Sequence, residues 1–330
     1  MTELEVPAVI ADRRAGSDRR LEQLGNFLEG RQTSQLLRET ACVYATGSVS
    51  RGESSQHSDL DLFVVARDTT FSRLDAIKVN ARLIEATEEL QFPPFSGDGE
   101  YLVVHHLSEL LHRMGTRQDD ATNSFTARML LLLESRPILG TAAYDGIIRS
   151  VIEAYWRDYA DHIQEFLPVF LANDILRYWK VLCLSYESHG TPGNADETAA
   201  RRLRNYKLKH SRLVLCYSAV LYFCWLLRSR RSVTPRDAFE MASIRPLERL
   251  ELIGHEVDSA VTRASIRELL ELYAKFLHHT DSGKLELLER FHHQDYHADR
   301  REEARAFGDE MFKVLVAIAS DLPIFRYLLV

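Results

Sequence analysis

The segment Ala41–Arg67, ACVYATGSVSRGESSQHSDLDLFVVAR, constrains the fold of this chain more than any other stretch. It reads as a short apolar strand, then Gly47-Ser48, then a polar spacer, then a second strand opening with Asp59-Leu60-Asp61. Successive side chains of a strand point to opposite faces, so Asp59 and Asp61 are expected to project from one face together. Two adjacent carboxylates repel, and each favours its neutral form unless a cation stands between them. Mg²⁺ (or Mn²⁺) suits that position, because a hard cation takes one or two carboxylates together with substrate phosphates. Gly47 lets the backbone approach a phosphate closely. Ser48 adds a hydroxyl, and the amides of a following helix start favour an anion. The pattern predicts a site for a metal-bound nucleoside triphosphate.

These residues resemble the nucleotidyltransferase superfamily that includes DNA polymerase β, whose signature is Gly-Ser, a spacer, and Asp-x-Asp running into an apolar strand. The form GSVSRGE…SDLDL, with Arg51-Gly52-Glu53, is most similar to the nucleotidyltransferase domain of bacterial protein-PII uridylyltransferases. A second stretch, Phe125–Leu130 continuing through Leu133-Glu134-Ser135-Arg136-Pro137-Ile138-Leu139-Gly140, resembles the segment that follows the catalytic sheet in those enzymes. The resemblance implies an α+β fold: a small mixed-sheet nucleotidyltransferase domain at 1–140, followed by an all-α domain at 141–330 that closes the nucleotide cleft.

It further implies Asp59 and Asp61 as catalytic metal ligands, joined by a third acid from a neighbouring strand. Glu100, at the start of the expected strand 100–105, is the first choice for that acid, and Asp98 the second. Gly47, Ser48 and Arg51 are implied as nucleotide contacts. By the same analogy a cation of the helical domain reaches the triphosphate, with Lys180 and Lys209 as the candidates. The implied reaction moves a nucleoside monophosphate from ATP or UTP to a hydroxyl and releases pyrophosphate. A protein tyrosine is the favoured acceptor, with tRNA or a small molecule as the others. A degenerate, nucleotide-binding regulatory or toxin–antitoxin module is the alternative of a different class.

Composition narrows the classes. A net charge of −7 over 330 residues argues weakly against a chain whose main task is gripping nucleic acid. No uninterrupted apolar run approaches the roughly 18 residues of a membrane span. The first twenty residues lack the apolar core of a signal peptide, so a cytoplasmic location is expected. Cys42, Cys183, Cys216 and Cys224 sit in apolar segments without CxxC spacing and read as reduced core residues. The chain contains no His-Asp dipeptide, so the HD hydrolase domain of the uridylyltransferases is not expected in it. The clusters His278-His279 and His292-His293 fall at expected helix ends, where histidine is an ordinary capping residue.

Periodicity supplies the remaining elements. Residues 1–20 read as a loose arm or short helix, 21–39 and 71–90 as amphipathic helices. Residues 92–99 read as a turn-rich loop. Asp119 or Asp120 is placed to cap a helix starting near Ser124. From there on, helices are expected at 144–166, 170–189, 200–230, 235–254, 258–279 and 301–320.

Overall fold

The computed structural model describes residues 4–95, 102–188 and 195–329. It contains a small mixed sheet near the N-terminus and is otherwise helical, in agreement with the expected fold class. In chain order the first elements are α1 (Ala8–Gly30), α2 (Thr33–Leu37), β1 (Ala41–Thr46), α3 (Gly47–Ser50), β2 (Asp61–Ala66) and α4 (Arg73–Glu89). Then come β3 (Val104–His106), α5 (Leu107–His112), α6 (Arg117–Ala121), α7 (Ser124–Glu134), β4 (Arg136–Leu139) and α8 (Thr141–Tyr155). The rest is helical: α9 (Val169–Ser188), α10 (Ala195–Lys207), a π turn at Leu208–Arg212, α11 (Leu213–Arg230) and α12 (Pro235–Ser243). It ends with α13 (Pro246–Glu256), α14 (Ala260–His279), α15 (Lys284–His292), α16 (Gln294–Ala319) and α17 (Pro323–Leu329). The chain divides into two compact units. The sheet unit is Asp12–Asp158 with Pro235–Arg245, and the helical unit is Met1–Ala11, Tyr159–Thr234 and Pro246–Val330.

The sheet runs β3-β2-β1-β4, with β1 antiparallel to β2 and β4, and β2 parallel to β3. Strand β1, ACVYAT, is buried along its whole length, as a strand covered on both faces must be. Register fixes which residues share a face. Val43 pairs with Val64 and Ala45 with Leu62, so these four lie on one face. There they join Leu24 and Leu28 of α1, Leu37 of α2, and Val79, Leu83 and Ala86 of α4 in an aliphatic core. Helix α4 begins in a capping box, Ser72 and Asp75 satisfying each other's backbone amides. The opposite face is aromatic. Tyr44 stacks on Phe63 at 5.5 Å and tilts against Tyr144 of α8 at 5.9 Å, and Phe63 stacks on His105 of β3 at 6.0 Å.

Several expectations are corrected. The arm at 1–20 is helix from Ala8 onward, continuous to Gly30. The expected helix 21–39 instead breaks at Gln32, whose φ of 56° is left-handed, and α2 follows as a separate turn. Residues 136–139 form β4, with Pro137 paired to Tyr44. Proline is tolerated there because β4 is an edge strand, where one missing ladder donor faces no partner. The expected helix 235–254 is divided between α12 and α13, since Pro246 starts a new helix.

Asp119 does not cap α7. It is buried inside the unit, its carboxylate gripping Arg128 by two hydrogen bonds of 2.6 and 3.0 Å. Arg128 also donates to Tyr155 Oη and to the Leu110 carbonyl, each at 3.0 Å, which adds two further protein partners to the guanidinium.

In the helical unit α11 carries apolar residues on every side and is buried almost throughout, the mark of a central helix. The run 195–230 includes one 18-residue window long and apolar enough to cross a membrane, and 78% of that window is buried within the protein. The four cysteines are free: Cys42, Cys216 and Cys224 are buried and Cys183 is half-buried. Burial pushes the Cys42 and Cys224 thiols up to about 12.

Both side chains of the Asp119–Arg128 pair are fully buried. Asp119→Ala should therefore cost about 3–5 kcal/mol, by stranding the guanidinium. Urea denaturation checks this, and a cost below about 1 kcal/mol, typical of an exposed pair, would contradict it.

Candidate active site

Strand β1 ends at Thr46, and the chain turns at Gly47 into the short helix α3. Gly47 has φ +72°, a left-handed conformation that an L side chain adopts only with strain. A methyl group added there would collide with Asp61 Oδ2. Thr46 is the register partner of Asp61, so the carboxylate at the head of β2 folds over the turn that closes β1. Asp61 stands on the aromatic face with Tyr44 and Phe63, away from the aliphatic core that holds Leu60, Leu62 and Val64. The Asp-x-Asp pattern thus has the expected alternation at Asp61: a half-buried acid between two buried leucines.

A second carboxylate reaches the same glycine. Glu134, at the end of α7, accepts the Gly47 amide at 3.2 Å through Oε1 and Arg51 Nη1 at 2.5 Å through Oε2. Ser50 donates its hydroxyl to the Glu134 carbonyl. Arg51 also donates Nε to Glu53 Oε2 at 2.9 Å. The Gly47 amide is therefore turned inward and is not offered to a phosphate. What Gly47 contributes is space for Asp61. Arg51, expected among the nucleotide contacts, is only 6% exposed and lies between two carboxylates. Ser48 remains half-buried beside the turn, with its carbonyl accepting the Glu53 amide at 2.8 Å.

The spacer between Gly47 and Asp59 is pinned along most of its length. Ser54 hydrogen-bonds Ser17 of α1 through both amide and hydroxyl. Arg20 of α1 donates to the carbonyls of Ser55, at 2.7 Å, and Ser58, at 3.2 Å, while its guanidinium lies over the Phe92 ring at 4.4 Å. Burial lowers the Arg20 pKa, and the nearby Asp59 carboxylate opposes that shift. Asp59 itself is half-buried just ahead of β2. Arg245, beyond the end of α12, donates to the Ser50 carbonyl at 3.1 Å and pairs with Asp18. Gly52, at φ +76°, leaves room for the Arg245 side chain, whose Cδ would stand 3.2 Å from an added methyl.

The structure thus brings together Gly47, Asp61, Glu134 and Arg51, with Ser48 and Asp59 flanking them. Glu100 and Asp98 lie outside the described residues. Among the described residues no group of three or more His, Cys, Asp or Glu is arranged to hold a metal ion. The donors at hand, two half-buried carboxylates and a serine hydroxyl, are hard oxygen ligands that fit Mg²⁺ or Mn²⁺ rather than a softer metal. Lys180 and Lys209 are both exposed and belong to the helical unit, on α9 and on the π turn. Arg20 and Arg245 carried no functional signal in sequence reading, and Glu134 stood there only within the stretch that resembles the segment after the catalytic sheet, with no role assigned. Glu134 had the strongest trace, a lone acid ending the apolar run Met129–Leu133.

The geometry predicts opposite signs for one substitution at two glycines. Gly47→Ala should destabilise the fold by about 1–3 kcal/mol and displace Asp61. Gly308→Ala, in α16, where an added methyl meets nothing within 4 Å, should stabilise by about 0.5–1 kcal/mol. Thermal unfolding of the two variants measures both. Equal effects would contradict the role given to Gly47.

Comparison with known proteins agrees with this geometry. No curated protein and no solved structure matches the chain. Residues 31–94 match the nucleotidyltransferase domain family, over a stretch containing Gly47, Ser48, Asp59 and Asp61. That match supports the nucleotidyltransferase superfamily for this part of the chain, and nucleotidyl transfer as its general chemistry.

Proposed function

We propose that the sheet unit transfers a nucleoside monophosphate from a nucleoside triphosphate to a hydroxyl acceptor, with a divalent cation held by Asp59 and Asp61. The observation that carries this reading is the placement of Asp61 directly over Gly47, inside the segment that matches the nucleotidyltransferase domain family. A bound Mg²⁺ or Mn²⁺ would supply charge neutralisation of the triphosphate and acidify an attacking hydroxyl.

The chain's own residues divide the remaining work. Asp59 and Asp61 provide the anionic oxygens. Ser48 offers a hydroxyl to a phosphate oxygen. Arg51 and Glu134 act as positioning residues: Arg51 pairs with both Glu134 and Glu53 and offsets part of their charge beside the Asp pair. Arg20 fixes the spacer whose end carries Asp59. In the transfer, the acceptor oxygen forms a bond to the α-phosphorus as the bond to the bridging oxygen breaks, and pyrophosphate leaves. The acceptor's proton passes to a carboxylate, for which Glu100 is proposed on the resemblance to uridylyltransferases alone. A protein tyrosine as acceptor, ATP or UTP as donor, and a cytoplasmic setting rest on the same resemblance.

Incubating the chain with each α-labelled nucleoside triphosphate, Mg²⁺ and cell lysate tests the reading. Label should move to a macromolecule or small acceptor with release of pyrophosphate. Losing a ligand that contributes several kcal/mol to the transition state should slow Asp61→Asn by at least about 100-fold. Full activity in that variant, folded as judged by circular dichroism, would remove Asp61 from the mechanism.

A further inference from the structure

The net charge of −7 hides a local surplus of cations on the helical unit. Helices α10, α15 and α16 pack around a cleft of about 110 Å³ that is open to solvent. Its lining includes Arg202, Tyr206, Lys209, His297, Arg300 and Arg301, and all of its residues come from the helical unit.

The acid beside it is already engaged. Glu303 accepts Tyr206 Oη at 3.0 Å and Arg300 Nη2 at 2.8 Å, and His279 Nε2 lies 3.5 Å away. Arg202 is held in place by the Phe291 carbonyl at 3.1 Å and Gln294 Oε1 at 2.7 Å, which aims its guanidinium without neutralising it. Lys209 and Arg301 are exposed at the cleft and, among the described residues, neither is held in an ion pair. The positive field is felt by His297, whose pKa is lowered first by burial and then by Arg202, Arg301, Lys209 and Arg201. The π turn shapes the rim at Lys209: His210, next to it, is buried with its ring parallel to Phe276 at 4.8 Å, while Lys209 faces solvent. Insertions of this kind in a helix recur at functional sites.

We infer that this cleft is a binding site for a small phosphorylated ligand. Arginine forks and a lysine point charge match phosphate oxygens. The buried rings of Tyr206 and Phe291 give the cleft an apolar base. Arg202, Lys209, Arg300 and Arg301 stand together at the cleft, and the Glu303 carboxylate already serves Arg300. The inference is independent of nucleotidyl transfer, and it gives Lys209 a ligand without reference to Asp59 and Asp61.

Isothermal titration of the full chain with inorganic pyrophosphate, in EDTA, tests it. The wild type should bind at one saturable site. The double variant Lys209→Gln, Arg301→Gln loses two charge-assisted contacts and should bind at least about tenfold more weakly. Because both side chains are exposed, the variant should keep its circular dichroism spectrum. Asp61→Asn should bind as the wild type does. Absent binding in the wild type, undiminished binding in the double variant, or loss in Asp61→Asn would each overturn the assignment. So would an oligoribonucleotide that displaces pyrophosphate at much lower concentration, since that would mark the cleft as part of a polyanion track.

Discussion

The sheet unit is organised around the absence of a side chain at Gly47. On one side of this glycine stands the Asp61 carboxylate, close enough to exclude a methyl group, and on the other Glu134 holds its amide. The left-handed turn that results brings the ends of β1 and β2 together where Thr46 pairs with Asp61. Everything else nearby serves to keep two acids at one turn. Arg51 lies between Glu134 and Glu53 and pairs with both, offsetting part of their charge. Removing one partner of such a buried set would leave a charge stranded. α1 then secures the spacer from outside, through Ser17 and Arg20.

How much of this was legible in the sequence depends on the distance between partners. Gly47 and Asp61 lie within one local motif, where turn chemistry and strand alternation act together. The motif therefore named them, although it assigned Gly47 to phosphate contact when its amide faces Glu134. Glu134 is 87 residues from Gly47, and Arg245 is 195 residues from Ser50. No periodicity reports such pairings. The same limit explains β4, which no local pattern marked as a strand and where only the edge position makes Pro137 acceptable. It also explains Asp119, whose place before a helix suggested a cap while Arg128 on the next helix claimed its carboxylate. Helix α1 was obscured for another reason: its first turns are rich in charge, and the pattern there is set by packing that the local sequence does not display.

The fold class followed from the resemblance carried by the Gly-Ser turn and the Asp-x-Asp strand, together with the helical spacing of the remaining chain. The two units differ in the sign of their local charge. The Gly47 turn carries the half-buried carboxylates of Asp59 and Asp61, whereas the cleft beside Lys209 is lined by cations. A chain of net charge −7 thus keeps local concentrations of both signs.

The account stands or falls on whether Asp59 and Asp61 hold a metal–nucleotide complex. Electron paramagnetic resonance of Mn²⁺ with the full chain and a non-hydrolysable nucleoside triphosphate reads this without requiring an acceptor. The account predicts a protein-bound ternary Mn²⁺ signal in the wild type that is lost in the Asp59→Asn, Asp61→Asn double variant. The same bound signal in both proteins would contradict it.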